Sequence, residues 1–222
     1  MYIYRRMKFF IIIKEESERL PNKNFLTLGG IPLYKHLLNE LTLEDVYIDT
    51  DSDRIFNECK TLIHVTCYKR DQKYIELENN IEFGVSPVLL MIENFLTKYV
   101  QDENEVIITP HVTSPYITLK TMLDATKKLS TYDTVCACTE HKEFTYFKGQ
   151  PVNFNSKKVP KTQDLEPVIM GNGAFFIFTK KEFMKNKNRT SKNNYFYPIT
   201  FPESIEIDTY EDFRLAEMYE LS

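Results

Sequence analysis

The stretch that decides the fold is residues 7 to 30, MKFFIIIKEESERLPNKNFLTLGG. Its apolar run from Phe9 to Ile13 is continuous rather than alternating, as a strand covered on both faces requires. The run opens directly into a polar loop holding Arg19 and Lys23, and the stretch closes on Gly29-Gly30, a turn signal. Strand, cationic loop and then helix is the arrangement by which α/β proteins gather cations and unpaired amides where phosphate charge must sit. The loop is not a Walker A loop, because G-x-x-x-x-G-K-[ST] is absent, and it is not a dinucleotide fingerprint, because G-x-G-x-x-G is absent.

Outward from this stretch, apolar runs recur at Val46 to Asp49, Leu62 to Cys67, Val106 to Thr109, Thr134 to Cys138 and Ala174 to Phe178. Amphipathic segments separate them. Ile31 to Leu41 is one. Ser86-Pro87 supplies an N-cap and a first-turn proline for a second, which runs through Leu90, Ile92 and Phe95 to Val100. Thr118 to Leu129 is a third. Thr209-Tyr210-Glu211-Asp212 reads as a capping box for a last helix bearing Phe213, Ala216, Met218 and Tyr219. Strands alternating with helices predict βαβ units, hence an α/β fold with a mainly parallel sheet. Residues 141–170 break this rhythm with Pro151, Pro160, Pro167 and the basic pair Lys157-Lys158. They read as an excursion that either pairs with a second subunit or flaps over a site. Residues 185–195, KNKNRTSKNNY, read as a solvated loop without a specific role. No linker or repeat divides the chain, so residues 1–222 are read as one domain.

Bulk composition narrows the function. The chain has 222 residues, 42% hydrophobic and 27% charged, as an ordinary globular protein does. A core at this length buries roughly 70% of the unfolded surface without a staple or metal. The net charge of −4 argues against nucleic-acid binding by general electrostatics, so any anion site is local. Interleaved aromatic and basic residues, needed to stack single-stranded nucleic acid, are also missing. Cys59, Cys67, Cys136 and Cys138 lack metal spacing, and Cys136 and Cys138 share a strand face, which disfavours pairing. They read as reduced, buried thiols of a cytoplasmic protein. The opening MYIYRRMKFFIII superficially matches a leader, but Lys8 interrupts it and KEESER follows in place of a small-residue cleavage site. Met7 is a candidate alternative start. No run approaches the roughly 20 apolar residues of a membrane span.

Several segments then fall in a recognisable order. Val46-Tyr47-Ile48-Asp49-Thr50-Asp51-Ser52 resembles a strand-ending S-T-D motif, Tyr68-Lys69-Arg70 an arginine segment, and Thr113-Ser114-Pro115 a T-S-P. Gln163-Asp164-Leu165 and Asn172-Gly173-Ala174 resemble R-Q-D-L and N-G-A elements, and Ser204-Ile205-Glu206-Ile207-Asp208-Thr209 is similar to S-I-D-I-D-T. With the first loop, this series resembles the acylneuraminate and Kdo cytidylyltransferase superfamily over almost the whole chain. The resemblance implies a Rossmann-like three-layer α/β/α fold of the nucleotide-diphospho-sugar transferase type. It also implies a CTP-dependent nucleotidyltransferase. An acceptor oxygen, from a sugar acid or from a phosphate or phosphonate, would attack the α-phosphorus and expel pyrophosphate. A homodimer joined through the 141–170 arm is expected on the same ground, with CTP and a small acidic acceptor as partners.

By the same resemblance, Lys14, Ser17, Arg19, Lys23, Asn24, Asp51 and Arg70 would hold the nucleotide. His111, Thr113, Ser114, His141, Gln163 and Asn172 would face the acceptor, with Lys23, His111 and Asp208 at the chemistry. Glu206 and Asp208 would hold Mg²⁺. The spacing gives this pair an independent argument. Residues two apart on a strand share a face, and adjacent carboxylates repel unless a cation lies between them. The plainer alternative is a pair of solvent-facing acids on an edge strand. His36 and His64 fall in core-like patterns.

The chain departs from the pattern in ways that bear on substrate. Where the family reads A-R-G-G-S-K, this chain reads Ile13-Lys14-Glu15-Glu16-Ser17-Glu18, so a forked arginine becomes Lys14 and two glycines become acids. His111 stands for a glutamine, Ile117 for an arginine, Thr162 for another arginine, and Glu206 for an aspartate one methylene shorter. Two other readings remain open at this point. One is a catalytically silent relative that binds nucleotide or sugar as a regulatory subunit. The other is a GT-A-like glycosyltransferase using Asp49-Thr50-Asp51 as a D-x-D metal motif.

Overall fold

The apolar run forms strand β1 (Met7–Ile13), and its side chains divide between two cores: Phe9, Ile11 and Ile13 enter one, Phe10 and Ile12 the other. Successive strand residues point to opposite faces, so a run apolar throughout is covered on both sides. The computed structural model describes residues 7–79 and 86–221. The leader-like opening therefore falls partly on residues 1–6, outside the described residues.

After β1 come β2 (Thr27–Leu28), β3 (Ile31–Pro32), α1 (Leu33–Glu40), β4 (Val46–Thr50), α2 (Asp53–Cys59), β5 (Val65–Lys69) and α3 (Gln72–Asn79). The second half holds α4 (Pro87–Tyr99), β6 (Val106–Pro110), α5 (Leu119–Thr126), β7 (Thr134–His141), β8 (Tyr146–Phe147), β9 (Gln150–Pro151), β10 (Val168–Thr179), α6 (Lys180–Asn186), β11 (Asn194–Pro198) and α7 (Tyr210–Glu220). Seven strands form the main sheet in the order β11-β7-β10-β6-β1-β4-β5. All but β10 run in one direction; β10 lies antiparallel between β6 and β7. Helices cover both faces, with α1, α2 and α5 over the core around Phe9 and Ile11, and α4 and α6 over the core around Phe10. This is the three-layer α/β/α architecture expected.

The helix signals held in part at their starts: the Ser86 side chain makes no capping hydrogen bond, and Ile31-Pro32 form β3 ahead of α1. Pro87 opens α4, the Thr118 hydroxyl accepts from Thr121 N, and Thr209 with Asp212 closes a reciprocal capping box on α7. The strand expected at Leu62 to Cys67 sits later, at Val65–Lys69, because Leu62 and Ile63 lie exposed in the turn leading to it. The Gly29-Gly30 turn lies where the sequence places it. It joins β2 to β3 with both glycines at positive φ, 55° and 83°, and a Cβ on Gly29 would lie 2.4 Å from the Glu220 carboxylate. The glycines thus turn a hairpin against α7.

Of the 141–170 excursion, residues 142–167 leave the main sheet, while His141 and Val168 to Met170 stay in it as parts of β7 and β10. The excursion forms the β8–β9 hairpin and a 3-10 turn at Thr162–Asp164, and it exposes Phe144, Tyr146, Phe147, Val152 and Val159. The 185–195 segment is not merely a loop, since β11 begins within it at Asn194 and pairs with β7. All four cysteines are free. Among the described residues, no helix is long and apolar enough to cross a membrane.

Candidate active site

Strand β1 is flanked by β4 on one side and β6 on the other, so the order of the sheet reverses there. Ligand crevices of open α/β sheets form at such switch points, beyond the carboxyl ends of the strands. A cleft of about 210 Å³ lies at this place, between the ends of β1 and β6. Lys14, Ser17, Lys23 and Asn24 line it from the first loop, and His111 and Thr113 from beyond β6.

The first loop is folded by its own polar atoms. Asn24 Nδ2 donates to the Lys14 carbonyl at 2.7 Å, and Glu15 N–H donates to Asp51 Oδ1 at 2.7 Å. A 3-10 turn at Lys23–Phe25, entered through Asn22 in the left-handed region (φ 55°), buries Lys23 and Asn24. Asn24 Oδ1 and Thr109 Oγ1, both on cleft-lining residues, are buried without a hydrogen-bond partner. Buried polar atoms left unpaired are uncommon in native proteins.

Opposite the loop, Ile205 and Ile207 bury into a small apolar cluster with Leu20, Leu28, Leu33, Phe213 and Ala216. Their alternation leaves Glu206 and Asp208 on the other side. The segment is not a strand of any sheet: it is pinned by Ile207 N–H to the Thr113 carbonyl at 2.8 Å, and by the Asp212 carboxylate accepting from Asp208 N at 3.0 Å. Asp208 is held by Lys23 on Oδ1 and by Arg19 on Oδ2, each at 2.8 Å. Burial alone would raise its pKa, but the Lys23 hydrogen bond and the charges of Lys23 and Arg19 hold the carboxyl below its usual range. Among the described residues, no group of three or more His, Cys, Asp or Glu is placed to hold a metal.

Glu206 lies beside His111, Oε1 to Nδ1 3.9 Å. Gly173 (φ 77°) makes that approach possible, since a Cβ there would lie 3.0 Å from Glu206 Oε1 and 3.5 Å from His111 Nδ1. It sits in the register shift of β10 between Gly171 and Phe176, where Asn172 Oδ1 accepts from Ala174 N at 3.1 Å. Asn172 thus shapes the turn that carries the site.

The sequence reading missed Arg189. It comes from the supposedly role-free 185–195 segment, yet it lines the cleft, lies 3.9 Å over the Phe176 ring and donates from NH1 to His111 Nε2 at 3.2 Å. Arginine has no acceptor, so His111 gives its Nε2 lone pair and carries its proton on Nδ1, toward Glu206. No periodicity marks such a residue: its apolar stem packs while the local sequence reads as polar.

Other expected site residues fall elsewhere. The Arg70 side chain is 0% exposed, bound to Asp49 (2.7 Å), Glu78 (3.3 Å) and Asp51 (3.5 Å), and does not line the cleft. Burial raises the Asp49 pKa against the opposing pull of Arg70. Lys14 does line the cleft but is paired with Glu78 at 3.1 Å, whereas Ser114 is fully buried. His141, at the end of β7, shares a 2.8 Å hydrogen bond with the Thr139 hydroxyl, and Gln163 lies exposed in the 3-10 turn of the arm; neither lines the cleft. Ile117, standing where an arginine was expected, is in the core at 2% exposure.

The sequence model of a family described as Cytidylyltransferase matches residues 11–221. An N-acylneuraminate cytidylyltransferase of Streptococcus agalactiae serotype III (strain NEM316) is 26% identical over 212 residues, covering 89% of this chain and 49% of that protein. The chain thus spans about half the length of that relative. A CMP-N,N'-diacetyllegionaminic acid synthase of Legionella pneumophila is 26% identical over 216 residues, covering 90% of each. In structure, a CMP:2-keto-3-deoxy-manno-octonic acid synthetase complexed with CTP superposes with a TM-score of 0.60 at 13% identity, over 97% of this chain and 98% of that one.

Proposed function

The chain belongs to the cytidylyltransferase family, and from that premise we propose that it transfers a cytidylyl group from CTP to a hydroxyl of a sugar acid, releasing pyrophosphate. The observation that carries this reading is the convergence of Lys23 and Arg19 on Asp208 beside the cleft at the sheet's switch point. Two cations held by one carboxylate are the groups an incoming triphosphate recruits, and their departure uncovers that carboxylate.

In this reading the acceptor oxygen attacks the α-phosphorus in line and the pyrophosphate oxygen leaves, so the protein contributes position and charge rather than covalent chemistry. Lys23 and Arg19 neutralise the phosphates. Asn24 Oδ1, unpaired and buried, accepts a hydrogen bond from the nucleotide. His111 orients rather than abstracts, because its free lone pair is already taken by Arg189. Glu206 and Asp208 offer hard oxygen donors on one side of one segment, which suits Mg²⁺ once Lys23 and Arg19 turn to phosphate. Mg²⁺ when bound would offset charge on the triphosphate. Arg70 and Asp51 belong to the scaffold under the loop. The apolar side chains exposed on the 141–170 arm support pairing with a second copy of the chain.

Calorimetric titration of CTP with Mg²⁺, against ATP, GTP and UTP, tests the reading, with the E206A/D208A double variant alongside. Selective CTP binding that weakens in the variant is expected, together with pyrophosphate release when a sugar acid is added. Absence of binding to every nucleotide would overturn it and favour a silent relative.

A further inference from the structure

The cations in the cleft and, with Arg19, beside it divide by what neutralises them. Lys14 has Glu78, while Lys23 and Arg19 share Asp208. Among the described residues no carboxylate pairs with Arg189, whose contacts are the His111 nitrogen and the Phe176 face. Among the described residues its remaining N–H groups meet no protein acceptor. Burying a charge without a counterion is destabilising, and the Phe176 ring and His111 fix the guanidinium plane without neutralising it. An arginine so held presents a rigid fork matched to a planar carboxylate.

We infer that Arg189 is the specificity-determining residue of this cleft, binding the carboxylate of the acceptor and so selecting sugar acids over neutral sugars. The inference rests on the cytidylyl-transfer reading above. It assigns the two ends of one cleft to two anions, with the triphosphate on the first-loop side among Lys14, Arg19 and Lys23, and the acceptor carboxylate on the β6 and β10 side, at Arg189. Through its bond to His111, Arg189 also sets the ring proton that faces Glu206. Acceptor charge and acceptor orientation are thereby read by one side chain.

The experiment compares wild type, R189K and R189Q with N-acetylneuraminate, N,N'-diacetyllegionaminate and 2-keto-3-deoxy-manno-octonate. Each acid is set against its uncharged methyl ester, by pyrophosphate release, with CTP affinity measured separately by calorimetry. The expected result in R189Q is a KM for the acid raised by about 100-fold, as when a buried polar partner is lost, with kcat changed several-fold at most. CTP affinity stays within about twofold, and the preference for acid over ester collapses toward unity; R189K lies between. Equal losses for acid and ester would show a merely structural residue, and weakened CTP binding would show a triphosphate contact; either overturns the inference. Wild type that binds CTP but turns over none of the acids also overturns it while leaving nucleotide binding intact. Wild type that binds no CTP brings down the underlying reading first, and this one with it.

Discussion

Arg70 and Arg189 are two guanidinium groups drawn away from bulk water, one on each side of the sheet's switch point, and the protein treats them in opposite ways. Arg70 lies under Asp49, Asp51 and Glu78 and also approaches the Ile13 carbonyl, so three carboxylates surround one cation. Arg189 rests on an aromatic face and an imidazole nitrogen, with no acid beside it among the described residues. A charge saturated by its own protein is committed to structure. A charge left unsaturated in a cleft is committed to something the protein does not contain.

The largest effect that would break this contrast is on stability. Arg70→Met leaves Asp49, 1% exposed, beside Asp51 and Glu78 without a counterion. Removing one partner of a buried pair costs about 3–5 kcal/mol, so denaturant titration should show a loss of that size. R189Q, which removes an already unpaired charge, should cost about 1 kcal/mol or less. If both variants lose the same stability, the division between scaffold and site cation is wrong.

Asp208 stands between these extremes, since its partners are ones a ligand can take away. Asp208→Asn should cut pyrophosphate release by about 100-fold, the scale of losing one electrostatic group from a reaction centre. Stability gives a second reading with a definite sign. The native pKa of Asp208 is held below its unfolded value of about 3.9, so its contribution is present above that pH and is lost as pH falls through the native value. The melting-temperature gap between wild type and D208N should therefore be widest near neutrality and close in acid. A gap that widens on acidification would mean that the cations do not govern this carboxylate.

How far these residues could be read from sequence depends on what fixed them. The two-faced β1, the capping box at Thr209 and the proline at the start of α4 are local patterns, and the structure keeps them. Lys23, Asn24, Glu206 and Asp208 were legible because they lie in ordered motifs, although the segment carrying the acids is pinned by Thr113 and Asp212 rather than paired as a strand. Arg70 was legible as a marked position but not as a scaffold, because its partners come from β4 and from Glu78 and only folding assembles them. Arg189 was illegible altogether. Its neighbours in sequence are asparagines, lysines and serine, and what gives it meaning is a ring from β10 and a histidine from the end of β6.

A smaller effect sharpens the first-loop side. Lys23→Met should weaken CTP binding about tenfold, or about 1.4 kcal/mol, and should flatten the dependence of that binding on salt, because a phosphate contact contributes through charge. Since Lys23 is bound to Asp208 before any ligand arrives, the loss is smaller than for a cation that starts free. A loss of a thousandfold would mean that Lys23 is already disengaged from Asp208 in solution.

The smallest expected effect discriminates most sharply between two metal assignments. Asp51 takes the Glu15 N–H at 2.7 Å through Oδ1 and stands 3.5 Å from Arg70 through Oδ2. Asp51→Asn keeps a carbonyl oxygen for Glu15, and Arg70 retains Asp49 and Glu78 as partners. The cost should then be about 1 kcal/mol or less, the scale of one hydrogen bond with a partner still present, and turnover should stay within about threefold. A D-x-D metal site at Asp49 and Asp51 demands the reverse, because an amide in place of a carboxylate removes a charged donor for a hard cation. Asp49 argues against that site on its own account, since its carboxylate is already bonded to the buried Arg70 and its pKa is raised rather than lowered. If D51N abolishes metal-dependent turnover while D208N spares it, the carboxylates of β4 are the metal ligands, and the cations gathered on Asp208 serve only to fold the loop.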